Sequence, residues 1–383
     1  MKKKVNLNFV LPVLMSFFVM SFCDLVGIGV YRIKPEFNLS NTLVQLIPSA
    51  VFVWFFILSV PVGVLQDRIG KRNVLNLWMI ITAIGLLFPY FVFTFDTVLI
   101  GFALLGIGNT IVQVSANPLL VDVVPSKNAS SFLSFSQFVK AVGSMLAPFV
   151  AAWFAAQYGD WKLMFLAFGL VSIIAVAWLA LVKIDETKNT EKRATMASSF
   201  KLLGNNYVAL MVLGIFLVVG IDVGINAVSG QFLLNKFDAA QEVAEKGRSV
   251  YFFGKMLGTF AGALMLTLLP SRKFFLWTSI LGLASILALV FAPSTLSAMV
   301  IIFIIGLGVA NIFPLIFSLA VEKYPLRTNE ISGLMIMAVS GGAVIPLLIG
   351  YLTDNVSLTV GMLVLAVCAA YELILALSNL KKV

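Results

Sequence analysis

The sequence predicts an all-α membrane protein of twelve transmembrane helices in two six-helix pseudo-symmetric halves, and three observations carry that expectation. Apolar side chains make up 61% of the 383 residues and charged ones only 11%, against about 45–50% and about 25% in soluble domains. The surplus apolar area needs lipid as its solvent. Apolar runs of about 20 residues, the length that crosses a bilayer as a helix, recur twelve times. Features of the first half also return about 200 positions later: Gly106 and Gly108 as Gly306 and Gly308, Pro125 as Pro325, Arg72 as Arg272, and Asp24 with Gly27 as Asp222 with Gly224 at an offset near 198.

Taken in order, the runs between turn and charge signals place spans at 8–30, 41–65, 73–93, 97–121, 130–157 and 161–182. The second set falls at 206–234, 247–269, 274–292, 295–321, 329–352 and 357–379. The first span follows Lys2, Lys3 and Lys4 as a signal peptide would, but it is too long, lacks a small-residue cleavage site and carries Asp24. Lys183 to Asn205 is the longest polar stretch. Residues 1–183 therefore read as the N-terminal half, 184–205 as a cytoplasmic linker and 206–383 as the C-terminal half. In span 10, Asn311 and Pro314 mark a kink.

Basic residues orient the chain. Eighteen of the 26 Lys and Arg fall on the side of the termini, six on the opposite side, and Lys140 and Lys255 fall within spans. By the positive-inside rule both termini are cytoplasmic, in a bacterial-type inner membrane. The net charge of +9 therefore belongs to topology and not to a nucleic-acid partner. There is no histidine, which excludes an imidazole-based triad or proton relay, and Cys23 and Cys368 are too few for a thiolate metal cluster. No phosphate-binding GxxxxGK[ST] loop occurs. The sequence points to no enzyme, no cofactor and no metal, and any proton must travel on carboxylates.

The strongest local string is Gly63-Val-Leu-Gln-Asp67-Arg68-Ile-Gly70-Lys71-Arg72, in the cytoplasmic loop after span 2. Gly63 permits close helix approach, Gly70 suits a positive-φ turn, and the charges suit a gate. Here the chain resembles the major facilitator superfamily, whose signature in that loop is G-x-x-x-D-R-x-G-[RK]-[RK]. The resemblance implies the major facilitator fold, and a cytoplasmic gate of Gly63, Asp67, Arg68, Gly70, Lys71 and Arg72 in which the acid meets a helix N-terminus. The second-half counterpart, Leu269-Pro270-Ser271-Arg272-Lys273, is degenerate and predicts a weaker latch.

Span 4 sets Asn109, Gln113 and Asn117 at i, i+4 and i+8, a polar stripe expected to face a cavity. With Ala116-Asn117-Pro118, Gln137 to Gly143 in span 5, Gly254-Lys255 in span 8, and Lys34 to Ser40 after span 1, the chain looks like the fucose/glucose/galactose-proton symporter branch. It departs from that branch where Gln113 replaces a coupling carboxylate, where Lys140 replaces an Asn, and where Asp24 stands about one turn early. Intramembrane charge costs about 2.5–3.5 kcal/mol on insertion scales, so Asp24, Asp222, Lys140 and Lys255 need partners or a purpose. They form either structural ion pairs or a coupling set of Asp24, Asp222 and Lys140, with Asp24 as the leading proton site. Asn226 and Ser229 extend the stripe of Asp222 in span 7.

These residues point to a secondary active transporter that takes up a monosaccharide with a proton by alternating access. Asn109, Gln113, Asn117, Gln137, Lys140, Asn226 and Lys255 are its candidate substrate contacts; an unpaired Lys140 would favour an acidic sugar. The expected partners are a sugar, a proton and the bilayer, for a monomer. A proton-driven exporter of amphipathic compounds and an integral membrane enzyme are the alternatives. If Asp24 carries the proton, Asp24→Asn keeps substrate exchange but loses pH-driven accumulation, and unchanged accumulation in proteoliposomes would sink that role.

Overall fold

The computed structural model describes residues 6–25, 33, 36–39, 46–184, 186, 194–239 and 241–380. The first half contains α1 (Leu7–Met20), α2 (Leu46–Ile69), α3 (Lys71–Phe91), α4 (Phe95–Val123), α5 (Ala129–Tyr158) and α6 (Leu163–Leu181). A short α7 (Met196–Lys201) lies in the expected linker. The second half contains α8 (Asn206–Phe237), α9 (Gln241–Leu268), α10 (Ser271–Val290), α11 (Thr295–Val309), α12 (Ile312–Lys323), α13 (Thr328–Met337), α14 (Gly341–Asn355) and α15 (Leu358–Leu380).

Eleven spans among the described residues are long and apolar enough to cross a membrane. The predicted first span is a shorter apolar helix, α1, continued by a 3-10 turn over Ser21–Leu25; the rest of the predicted 8–30 run, from residue 26, lies outside the described residues. Two spans are broken. Span 10 divides between α11 and α12 at Ala310 and Asn311, the expected kink, and there Asn311 Nδ2 donates to the Gly258 carbonyl of α9 at 2.8 Å. Span 11 divides between α13 and α14 through a 3-10 turn, Ala338–Ser340.

The 200-residue recurrence proves to be a recurrence of contacts. A Cβ on Gly106 would run into the Val51 carbonyl oxygen, and one on Gly306 into that of Tyr251. Gly108 faces Thr82, and Gly308 faces Gly282. Each partner is offset by 200, so the same glycine seats the same pair of helices in each half. The helix starts repeat as well: Thr94 with Thr97 and Ser294 with Ser297 form reciprocal capping boxes at the N-termini of α4 and α11. Both helices follow short turns at a membrane boundary, where the first amides have no intrahelical acceptor.

By contact the chain separates into two compact units. Unit 1 holds Met1–Ser126, Val139–Lys201 and Tyr324–Met337; unit 2 holds Lys127–Phe138, Leu202–Lys323 and Ala338–Val383. Within unit 1, α13 lies along α2 because Gly63 and Gly333 face each other's backbone: a Cβ on Gly63 would meet the Asn329 carbonyl at 2.7 Å, and one on Gly333 the Ser59 carbonyl at 3.0 Å. Within unit 2, the start of α5 lies on α9, α10 and α12. Ser131 donates to the Ala263 carbonyl at 2.5 Å, and Ser130 shares hydrogen bonds with Ser271 at 2.8 Å and Ser318 at 2.6 Å. Ala263 is the repeat counterpart of Gly63.

Overpacking a close-packed contact costs about 1–3 kcal/mol. Gly106→Val and Gly306→Val should each lower the melting temperature of detergent-purified protein. Gly350→Ala, where a Cβ has no neighbour within 4 Å, should leave it unchanged; equal melting of all three would contradict the packing account.

Candidate functional site

Unit 2 contains a three-residue polar cluster inside its membrane helices. Helix periodicity puts Tyr251 and Lys255 one turn apart on the same face of α9, opposite Asp222 of α8. Lys255 Nζ lies 2.6 Å from Asp222 Oδ2, and the Tyr251 hydroxyl donates to Asp222 Oδ1 at 2.5 Å. Both carboxylate oxygens are thereby engaged by different donors. Tyr251 is wholly buried, whereas the Lys255 and Asp222 side chains retain 28% and 25% exposure, so the pair is reachable. Gly306 sets this geometry, because its missing side chain admits the backbone of Tyr251 and Lys255. One turn beyond Asp222, Asn226 leaves its Oδ1 without a hydrogen-bond partner among the described residues, as does the buried Ser229 hydroxyl. Tyr251 was not among the residues that the sequence singled out; its i−4 spacing from Lys255 is the signal that could have found it.

In unit 1 the amide stripe of α4 is present but deeper than expected. Asn109, Gln113 and Asn117 are 5%, 8% and 1% exposed, and Asn117 Nδ2 donates to the Gln113 carbonyl at 2.8 Å. Asn117 is therefore turned into its own helix on its donor side. The side-chain carbonyls of Asn109 and Asn117 have no hydrogen-bond partner among the described residues and remain acceptors for a hydroxyl donor. Lys140 is half-buried in α5 within unit 1, and its neighbour Gln137 is half-buried within unit 2. Asp24 falls in the 3-10 turn after α1, but its side chain lies outside the described residues. Lys140 does have an interaction partner, which removes the argument for an acidic sugar from an unpaired cation.

The loop after α2 is an interlocked cluster within unit 1. Gly70 adopts φ +90°, the region glycine enters without a Cβ penalty. Asp67 accepts from Asn329 Nδ2 at 3.0 Å, in the first turn of α13, and from the Ala194 amide at 2.7 Å. The acid thus reaches the start of a helix through a side-chain amide. Glu186 accepts from the Lys71 and Arg72 amides at 2.6 and 3.0 Å and so caps α3 at its positive end. Arg72 donates to the Val182 and Ala180 carbonyls at the C-terminus of α6, at 2.8 and 3.4 Å.

Lys71 differs from the solvent-facing gate charge that its motif suggests. It is 1% exposed and pairs with Asp122, 5% exposed, at 2.5 Å, because the turn at Gly70 directs it between α3 and the end of α4. Arg68 is exposed. In the second half Ser271 stands at the position of Lys71, and Glu322, the counterpart of Asp122, lies 3.8 Å from Arg272, the two being 34% (Arg272) and 62% (Glu322) exposed.

Residues in direct contact couple by about 0.5–3 kcal/mol in double-mutant cycles. Lys255→Met should destabilise by leaving Asp222 half-buried without its cation, and adding Asp222→Asn should recover most of that loss. Additive melting shifts from the two changes would show that the pair carries no coupling.

The fold has counterparts among known proteins. The sequence pattern of the Major Facilitator Superfamily matches residues 12–244. A glucose/galactose transporter of Brucella abortus is 29% identical over 394 positions, covering 96% of this chain and 93% of the relative. A putative glucose/galactose transporter of Helicobacter pylori is 26% identical over 396 positions, covering 96% and 95%. Among solved structures, the fucose:proton symporter FucP of E. coli, in an outward conformation, superposes with a TM-score of 0.86 at 17% identity, covering 97% of this chain and 98% of that one. The family match extends over more than half of the chain, and the all-helical fold agrees with it: this protein belongs to the Major Facilitator Superfamily.

Proposed function

We propose that this protein is a sugar–proton symporter that takes up a neutral monosaccharide of the glucose or galactose type. The observation that carries the reading is similarity along nearly the whole chain to a relative named a glucose/galactose transporter, joined to membrane-interior chemistry suited to that cargo. Sugar hydroxyls donate to amide and hydroxyl oxygens. Asn109, Asn117, Asn226 and Ser229 supply such oxygens with no donor already on them among the described residues. Gln113, Gln137 and Lys255 complete the proposed substrate contacts, with Lys140 and Asp24 assigned to coupling.

The proton chemistry falls to carboxylates, since the chain has no histidine. Asp222 is the best defined of them. Tyr251 and Lys255 both donate to it, and a substrate hydroxyl that drew Lys255 away would remove one of these contacts. In this reading the six-span halves 1–183 and 206–383, joined by 184–205, rock about a site near the bilayer midplane. The α2–α13 contact at Gly63 and Gly333, the Asp67 hydrogen bonds, and the serine contacts of α5 close the cytoplasmic side. They open when substrate leaves. The termini lie in the cytoplasm, in a bacterial-type inner membrane, and the transporter works as a monomer. An exporter of amphipathic compounds fits less well, because its cargo would gain little from stripes of amide oxygens.

Proteoliposomes acidified on the side opposite the termini should accumulate glucose or galactose, and a protonophore should reduce uptake to equilibration. Uptake of both sugars that never exceeds equilibration under the gradient would refute proton symport of them.

A further inference from the structure

The predicted 357–379 span contains a further intramembrane acid. Glu372, in α15, has no exposed surface, and neither carboxyl oxygen has a hydrogen-bond partner among the described residues. Gly214 of α8 makes room for it: a Cβ there would lie 3.5 Å from Glu372 Oε2, 2.6 Å from Leu375 and 3.0 Å from Ile316 of α12. The repeat counterpart, Ser172 of α6, is equally buried but returns its hydroxyl to the Phe168 carbonyl at 2.9 Å. An ordinary small polar residue thus fills this position in the first half, and an unpartnered carboxyl in the second.

Among the described residues no donor reaches either oxygen of the Glu372 carboxyl. On its own helix the nearest groups that can ionise are Cys368 and Tyr371, and the Tyr371 hydroxyl donates instead to the Leu210 carbonyl at 2.9 Å. Among the described residues, no hydrogen bond joins Glu372 to α8, α10, α12 or α14. Facing it from α8 and α12 are Gly214 and Ile316, and α10 buries only the hydroxyls Thr278, Ser279 and Ser285. An ionised carboxylate without a partner is among the most costly groups to bury.

A second polar group lies toward the C-terminal end of α15, past the buried apolar Leu375 and Ala376. Asn379 stands seven residues on, about 10 Å along the axis, and is nearly buried. Its Oδ1 accepts from the Tyr207 hydroxyl at 3.2 Å, which also reaches the Leu319 carbonyl at 3.3 Å, and Lys323 Nζ lies 3.8 Å from the centre of the Tyr207 ring. Two residues before Tyr207 on the chain, Asn205 caps α8 at the edge of unit 2.

We propose that Glu372 is a proton-binding site of the second half, reached from the end of the bundle where Asn379, Tyr207 and Lys323 meet, and that its proton exchanges during transport. Glu372 takes the proton as the neutral acid and gives it up by reopening of the α8–α15 contact, with the O–H bond broken and the proton passed to water. This rests on the reading of the protein as a proton-coupled transporter, and it adds a third carboxyl to Asp24 and Asp222.

Two measurements on the full-length protein test it. Infrared spectroscopy should find the C=O band of a protonated carboxyl in the wild type. The band should weaken in alkaline buffer and be missing from Glu372→Gln; an unchanged band in the mutant, or one in the wild type that no pH alters, overturns the proposal. In proteoliposomes a gradient of about one pH unit drives up to about tenfold accumulation when one proton accompanies each sugar. Glu372→Gln should fall to a ratio of about one while sugar exchange persists, and Glu372→Asp should keep part of the accumulation; wild-type accumulation by Glu372→Gln overturns the proposal. Wild-type protein that fails to accumulate sugar refutes the symport reading instead, and the infrared band then decides Glu372 alone.

Discussion

Side chains at several helix crossings of this protein have been removed so that backbones touch, and the chemistry of the second half depends on that contact. Gly306 brings α11 against the Tyr251 and Lys255 segment of α9. In lipid no hydrophobic force drives helices together, so association relies on close packing and interhelical hydrogen bonds. Small residues at the crossings are what that kind of packing requires. A side chain at Gly306 would push α9 away from α11 and disturb the face that holds Asp222 between a hydroxyl and an ammonium.

The same contact exists in the first half with different contents. Gly106 seats α4 on Val51 as Gly306 seats α11 on Tyr251, yet Val51 offers no hydroxyl and Phe55 stands where Lys255 does. The repeated scaffold has thus been loaded asymmetrically. Amides occupy α4 of the first half, while in the second half an ion pair with its tyrosine occupies α8 and α9, the counterparts of α1 and α2. Glu372 against Ser172 continues the pattern. Duplication supplies equal geometry, and divergence of a few interior side chains supplies distinct chemistry in each half.

Charge in the loop after α2 follows another rule. Residues of the Asp67 to Arg72 loop are adjacent in sequence but act on different parts of the fold. Asp67 holds α13 and the linker, Arg72 caps α6, and Lys71 is buried against Asp122. Of the expected linker, Glu186 and Ala194 take part in this packed cluster of unit 1. Removing one partner of a buried pair such as Lys71 with Asp122 typically costs about 3–5 kcal/mol, which makes that pair a strut around which the exposed members of the loop can rearrange.

The architecture was legible in the sequence because lipid imposes a local rule: each span must be apolar and about 20 residues long, and the runs from 41–65 to 357–379 correspond to helices α2 to α15. The 200-residue offset, the kink at Asn311 and the turn at Gly70 were legible for similar reasons, since each depends on a single residue type. Pairing was not. Nothing local distinguishes Asn117, which bonds its own helix, from Asn226, whose carbonyl is left over, nor Lys71, which turns inward, from Arg68, which does not. Tyr251 and Glu372 were invisible as functional groups among apolar neighbours. Composition and periodicity determined that this chain is a duplicated bundle of membrane helices; only the tertiary structure decided which polar groups satisfy one another and which are left over, because that depends on helix faces brought together from positions hundreds of residues apart.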